Sequence, residues 1–155
     1  MISVGRNNTS LIFKVKDILF ISALLTILLI GSNVCYAQDS KSKEAGILFV
    51  KIEEGLNTGA VDKFSKYFSS KNYISLANGT SGYYSANQSY YVIKDFLSVY
   101  QPISFKLTNS VLETSNPFAS GMFKFNNKGI RGNATVFIAL QYLDNQWRIS
   151  QITIN

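Results

Sequence analysis

Residues 83–105, YYSANQSYYVIKDFLSVYQPISF, carry a helix start, an amphipathic body, a helix stop and a strand entrance in that order. Ser85 is placed as an N-cap, and Gln88 three residues later completes a capping box, which satisfies otherwise unpaired N–H groups of the first turn. Val92, Ile93, Phe96, Leu97 and Tyr100 then form one wide apolar face, with Lys94, Ser98 and Gln101 opposite. Pro102 stops the helix, because the residue before a proline is driven out of the α region. Beyond it Ile103, Phe105 and Leu107 alternate with Ser104, Lys106 and Thr108, so the period changes to two within a few residues. The expectation is a helix lying on a sheet.

Upstream, Ala45, Leu48, Phe49, Ile52 and Leu56 recur at helical spacing and predict a first helix. It ends at Asn57-Thr58-Gly59, where Gly59 supplies a left-handed turn and Thr58 is positioned to cap the next segment. Ala60–Phe68 reads as a short second helix, with Val61, Phe64 and Phe68 on one side and Asp62 in its first turn. Asn72–Ala77 alternates as a strand, Asn78-Gly79 marks a tight hairpin, and Thr80–Tyr84 returns to the central helix. Downstream, turn residues at 115–117, 126–129 and 144–145 divide the chain into four strands. Ile130, Ala134, Val136, Ile138, Leu140 and Tyr142 share one parity, which suits a long central strand. Two neighbours change parity midway: Ile103, Phe105 and Leu107 give way to Leu112, and Trp147 and Ile149 to Ile152 and Ile154. A strand swaps faces only through an extra residue, so bulges are expected near Asn109-Ser110 and Ser150-Gln151. Bulges on several strands curl a sheet.

The N-terminus reads differently. Ile18–Ile30 is uncharged, preceded by Arg6, Lys14 and Lys16, and followed by Cys35-Tyr36-Ala37. Basic, apolar and small-residue segments in that order are the layout of a secretory signal. A helix over 18–30 rises about 20 Å against a hydrocarbon core of about 30 Å. The expected organisation is a signal peptide over 1–37 cleaved after Ala37, a polar spacer over 38–43 and one folded domain over 44–155. Export to the periplasm or medium follows from it. An uncleaved N-terminal membrane anchor is the alternative.

Composition excludes much chemistry. The 155-residue chain has no histidine, and its one cysteine, Cys35, lies in the signal segment. Imidazole bases, Ser-His-Asp and Cys-His sites, the common zinc sites and disulfides are therefore absent from the expected mature domain. No metal or cofactor is expected. The formal charge of +6 falls to about +4 without Arg6, Lys14, Lys16 and Asp17. The remaining cations are scattered along the chain, which reads as solvated surface and not as a nucleic-acid footprint.

The order helix, helix, short hairpin, helix, four strands resembles the cone-shaped nuclear transport factor 2-like superfold over about residues 44–154. Three blocks, GLNTGAVDKFSKYF (55–68), YSANQSYYVIKDFLSVYQPISF (84–105) and WRISQITI (147–154), are similar to a family of small exported bacterial domains of unknown function. The fold class expected is thus α+β: three N-terminal helices, with a short β-hairpin before the third, packed on a strongly curved antiparallel sheet. The resemblance implies a pocket between the helices and the concave face of the sheet. It leaves the activity open, because isomerases, dehydratases, transport adaptors and binders share the superfold.

Phe64, Tyr67, Tyr84, Phe96, Tyr100, Phe123, Phe125 and Trp147 are the side chains expected near that pocket, and any one of them is more often simply core. Glu113, beyond the expected bend, and Asp95, beside the apolar helical face, are the carboxylates with a place from which to face inward; each is more often a surface charge. The leading expectation is a non-enzymatic binding module for a small apolar or aromatic ligand or a protein partner, with a homodimer through the open sheet face. One alternative is a proton-transfer enzyme using Glu113 or Asp95 with a tyrosine. Another is a partner-binding protein using Tyr90-Tyr91, a pair whose simpler role is packing.

Overall fold

The computed structural model describes residues 40–155. The expected signal peptide and its cleavage point lie outside the described residues. Helix α1 occupies 40–58, and Ala45, Leu48, Phe49, Ile52 and Leu56 are all buried along one face. It is already under way at 40, so residues 40–43 are helical where a spacer was expected. The Lys41 carbonyl, near that end, accepts a 2.8 Å hydrogen bond from the Trp147 indole N–H. At the other end Gly59 adopts a φ of +71°, and the Ala60 N–H closes back on the Gly55 carbonyl. The Thr58 hydroxyl donates to the Glu54 carbonyl at 2.7 Å and so belongs to α1 instead of capping the next segment.

The second expected helix does not form, so the described residues hold two α-helices and not three. Its residues make two single 3₁₀ turns, Val61–Lys63 and Ser65–Tyr67. Ala60, at the cap position of the first turn, offers no side-chain acceptor, and Phe64 between the turns sits at φ −128°, ψ −4°, which interrupts the helical path. That kink delivers the Phe64 ring against α1 at Gly55, where a Cβ would stand 2.4 Å from the ring. Tertiary packing thus overrides a weak local helix.

Strand β1 follows at once, Phe68–Leu76, with β2 at Ser81–Tyr84. The Asn78-Gly79 hairpin is present, with Gly79 at φ +88°. β1 begins earlier than its alternation predicts because a bulge between Phe68 and Tyr73 breaks the pattern. Fully buried Asn72 spans that bulge: its Oδ1 accepts from the Ser69 N–H, and its Nδ2 donates to the Ser69 carbonyl and the Ser89 hydroxyl, with a longer bond to the Tyr84 carbonyl. Helix α2, Ala86–Val99, has the expected capping box at both Ser85 and Gln88. Ile93, Phe96 and Leu97 are its buried face.

Strands β3 (Gln101–Val111), β4 (Phe118–Asn127), β5 (Ile130–Leu143) and β6 (Gln146–Ile154) complete one six-stranded curved sheet ordered β2-β1-β6-β5-β4-β3. It is mostly antiparallel; β1 and β6 run parallel, which the all-antiparallel expectation missed. That pairing follows from connectivity: β1 and β6 are joined through the long path that includes α2, whereas every sequential pair from β3 onward is a hairpin. Both parity changes are resolved by bulges. Ser150 is the extra residue in β6, between Ile149 opposite Leu140 and Gln151 opposite Ala139. Thr108 is the extra residue in β3, one position before the expected site. A further bulge at Ile103 was not expected; it turns Ile103 away from Phe105 and leaves it exposed.

The helical side of the sheet holds the core, and α1 also guards an edge. β3 is an outermost strand, and two of its N–H groups that face away from β4 are taken up by α1: Phe105 donates to Asn57 Oδ1 at 2.8 Å and Leu107 to Glu53 Oε1 at 3.2 Å. Among the described residues no helix is long and apolar enough to cross a membrane.

Candidate functional site

The eight aromatic residues expected around one pocket are divided among three places. Phe64, Phe96 and Phe123 are completely enclosed, which leaves no free surface for a ligand at the centre. Tyr100 stacks on Phe96 at 4.6 Å and meets Phe125 edge-on, extending this cluster toward the β3–β4 side. Small residues let the rings close together: Phe125 lies over Gly132, and Gly121 admits the β3 backbone, where a Cβ would meet the Lys106 carbonyl at 2.4 Å. Tyr84 is partly buried in β2 and offers its carbonyl to Asn72.

Tyr67 and Trp147 stand apart from the others and do share a cavity. Together with Glu44, Ile47, Leu48, Lys51 and Gln146 they line a groove of about 210 Å³ between α1, the second 3₁₀ turn and the start of β6. Helical spacing places Glu44, Leu48 and Lys51 along one side of α1, while β6 presents Trp147. The Trp147 ring is fixed by its bond to the Lys41 carbonyl and by edge contact with Tyr142 at 5.0 Å. Its position does not depend on a ligand.

The polar chemistry of the groove centres on Tyr67. Lys51 Nζ donates to its hydroxyl oxygen at 2.7 Å, and Lys66 Nζ lies 5.2 Å from its ring centre. The hydrogen bond from Lys51 lowers the phenol pKa below its ordinary value of 10.0; desolvation opposes this, and the charges of Lys51 and Lys66 add to the lowering. Since Lys51 occupies an oxygen lone pair, the phenol O–H remains free to donate. Lys51 and Tyr67 together therefore offer N–H and O–H donors at one end of an apolar slot. Glu44 lines the same slot two helical turns from Lys51.

Asp95 and Glu113 are both exposed, and Glu113 lies in the β3–β4 loop instead of on a strand. Neither adjoins the groove. Tyr90 is half-buried and accepts from Lys94 Nζ at 3.2 Å, while Tyr91 meets it edge-on and is exposed. Among the described residues no cluster of acidic side chains could hold a metal ion. Sequence reasoning named Tyr67 and Trp147 but missed Lys51, Glu44, Ile47 and Gln146. The available signal was Lys51 itself, a cation set between Leu48 and Ile52 on an otherwise apolar helical stripe.

Residues 49–155 match the family Domain of unknown function (DUF4783). The chain belongs to that family. Among solved structures, a DUF4783 protein from Bacteroides uniformis superimposes with a TM-score of 0.61 at 20% identity, covering 68% of this chain and 93% of that one. Another from Bacteroides ovatus gives 0.58 at 20%, covering 67% and 90%. A putative dehydratase of the NTF2-like family from Streptomyces avermitilis gives 0.58 at 8% identity, covering 75% and 95%. No curated protein matches the sequence. Together these place the DUF4783 domain in the nuclear transport factor 2-like fold expected from the order of its elements, and at such identities they speak to fold alone.

Proposed function

We propose that this DUF4783 protein is an exported, non-enzymatic binding module whose ligand sits in the groove lined by Lys51, Tyr67 and Trp147, not in the middle of the cone. The observation that carries this reading is the 2.7 Å bond from Lys51 to Tyr67 beside an indole already fixed in place. Two converging donors at one end of an apolar slot suit a small amphipathic anion, such as a carboxylate on an aliphatic or aromatic body. The filled centre and the exposed positions of Asp95 and Glu113 favour binding over proton transfer. Export is the reading of residues 1–37. A second copy of the chain covers the middle of the outer sheet face, around the stacked Phe118 and Phe137 rings.

Trp147 is the only tryptophan in the sequence, so intrinsic fluorescence reports on the groove directly. Titrating residues 38–155 with hexanoate and phenylacetate should change the emission saturably, while phenylacetamide should bind at least tenfold more weakly. Lys51→Met and Tyr67→Phe should each reduce carboxylate affinity by roughly tenfold, the loss of one charge-assisted hydrogen bond. Equal response to acid and amide, or none to either, would count against the proposal.

A further inference from the structure

The cations that look scattered in the sequence are gathered by strand register. On the outer face of the sheet, Lys124 in β4 pairs with Ser104 in β3 and Asn133 in β5. Arg131 pairs with Asn126, one diagonal step toward the β4–β5 turn, and Lys106 pairs with Met122, one step the other way. Directly paired residues point to the same face, so Lys106, Lys124 and Arg131 form a diagonal stripe with neighbours about 7–8 Å apart. Lys128 sits in the turn beyond Arg131. No Asp or Glu occurs in β3, β4, β5 or the β4–β5 turn. None of these four cations is in an ion pair among the described residues, where the one pair found is Lys63–Glu54 on the helical side.

Exposed aliphatic side chains accompany the charge. Ile130, the first residue of β5 at the tip of the β4–β5 hairpin, is 75% exposed, more than any other large apolar residue described; paired with Asn127 it has the parity of Ala134 and Val136, so it projects from this end of the sheet on the side opposite Lys124 and Arg131. Ile103, turned outward by its bulge, is 48% exposed and lines a shallow basin of about 510 Å³ with Ser104, Lys124, Arg131, Gly132 and Asn133. Val99, the last residue of α2 and two positions before β3 begins opposite Asn126, is 49% exposed. A soluble anion would use the cations and gain nothing from Ile130. A bilayer surface uses both, since headgroup phosphates meet Lys and Arg while aliphatic side chains enter the boundary with the acyl chains.

We infer that this end of the sheet is a docking surface for an anionic lipid membrane, with Ile130 and Ile103 entering the headgroup layer and Lys124, Lys128 and Arg131 meeting lipid phosphates. The groove lies at the opposite end of β5 and points its ligand site away from the lipid. The inference does not depend on what the groove binds.

The test uses residues 38–155, which omit the apolar segment at 18–30 and contain the whole sheet, both helices and the core as one compact unit. The protein should co-sediment with phosphatidylglycerol vesicles at low salt, not with phosphatidylcholine vesicles, and should be released as salt rises. Lys124→Gln and Arg131→Gln should each weaken binding roughly fivefold. Ile130→Ser should weaken it roughly tenfold. Tyr67→Phe should leave it unchanged, and circular dichroism with thermal melts should show every variant folded. In a Trp147→Phe background, Ile130→Trp should give emission that shifts to the blue on adding phosphatidylglycerol vesicles. Failure to bind these vesicles would overturn the inference. So would vesicle binding indifferent to Ile130→Ser, or an equal affinity for soluble dextran sulfate, since either makes the surface a plain polyanion site.

Discussion

At Gly55 two opposing effects meet on one atom. Alanine is preferred over glycine inside a helix by about 1 kcal/mol, so Gly55→Ala would ordinarily stabilise α1. Here the added methyl would stand 2.4 Å from the ring of fully enclosed Phe64 and 3.0 Å from the Ala60 carbonyl. Overpacking a closed core costs about 1–3 kcal/mol. The second effect is the larger, and Gly55→Ala is expected to destabilise the domain by about 1 kcal/mol in urea unfolding. Combining it with Phe64→Leu should relieve part of the clash, so the two substitutions should not add. Tyr67 allows a second test at this scale. Its pKa is lowered in the folded protein, so its contribution to stability appears as pH rises through the folded value and is complete only above the unfolded value of about 10. Far below both values the phenol is protonated in either state and the linkage contributes nothing. The stability difference between wild type and Tyr67→Phe should therefore widen as unfolding is measured at increasingly alkaline pH, and a constant difference would mean that Lys51 does not favour the phenolate.

At the scale of elements, the legible features were those set by local chemistry. The Ser85–Gln88 capping box, the apolar stripe of α1, the Asn78-Gly79 turn and the Ser150 bulge all depend on residues close in the sequence. The features that were missed depend on distant ones. The kink at Phe64 is favoured by Gly55 on another element, the Ile103 bulge appears only when β3 is set against β4, and the Lys51–Tyr67 contact joins two segments sixteen residues apart. The cover over the β3 edge is of the same kind. Glu53 and Asn57 lie one helical turn apart on α1 and accept from the Leu107 and Phe105 N–H groups respectively. An uncovered edge strand of this length is a template for pairing with other chains. Asn57→Ala leaves the Phe105 N–H without its partner and should cost about 1–2 kcal/mol. Amide exchange at Phe105 and Leu107 should accelerate in Glu53→Ala/Asn57→Ala while the β5 amides keep their protection. Unchanged exchange at both edge positions would mean that α1 does not guard the strand.

At the scale of the whole domain, β5 is the axis on which everything else is hung. Its fourteen residues place Arg131 near one end and Leu143 at the other, separated by about 40 Å if the strand were straight. The groove and the cationic end share no side chain, so substitutions in one should leave the other undisturbed. Between them lies the outer sheet face, which neither helix covers. Its middle rungs set Phe137 between Thr153 and Ser120, and Ala139 between Gln151 and Phe118. The Phe118 and Phe137 rings stack at 5.7 Å on this otherwise mostly polar surface. An aromatic pair at the centre of a broad face with a polar rim has the composition of a self-association site, in which central aromatics supply most of the affinity. Sedimentation equilibrium is expected to find dimers of residues 38–155, and Phe137→Lys is expected to return them to monomers without loss of folded signal. Because the cationic stripe lies toward one end of the same face, a centrally placed dimer leaves Ile130 and Arg131 outside the contact, and vesicle binding should strengthen on dimerisation through the doubling of sites. A wild-type protein that stays monomeric at its highest soluble concentration would remove the dimer from this picture and leave the two ends of β5 as its working surfaces.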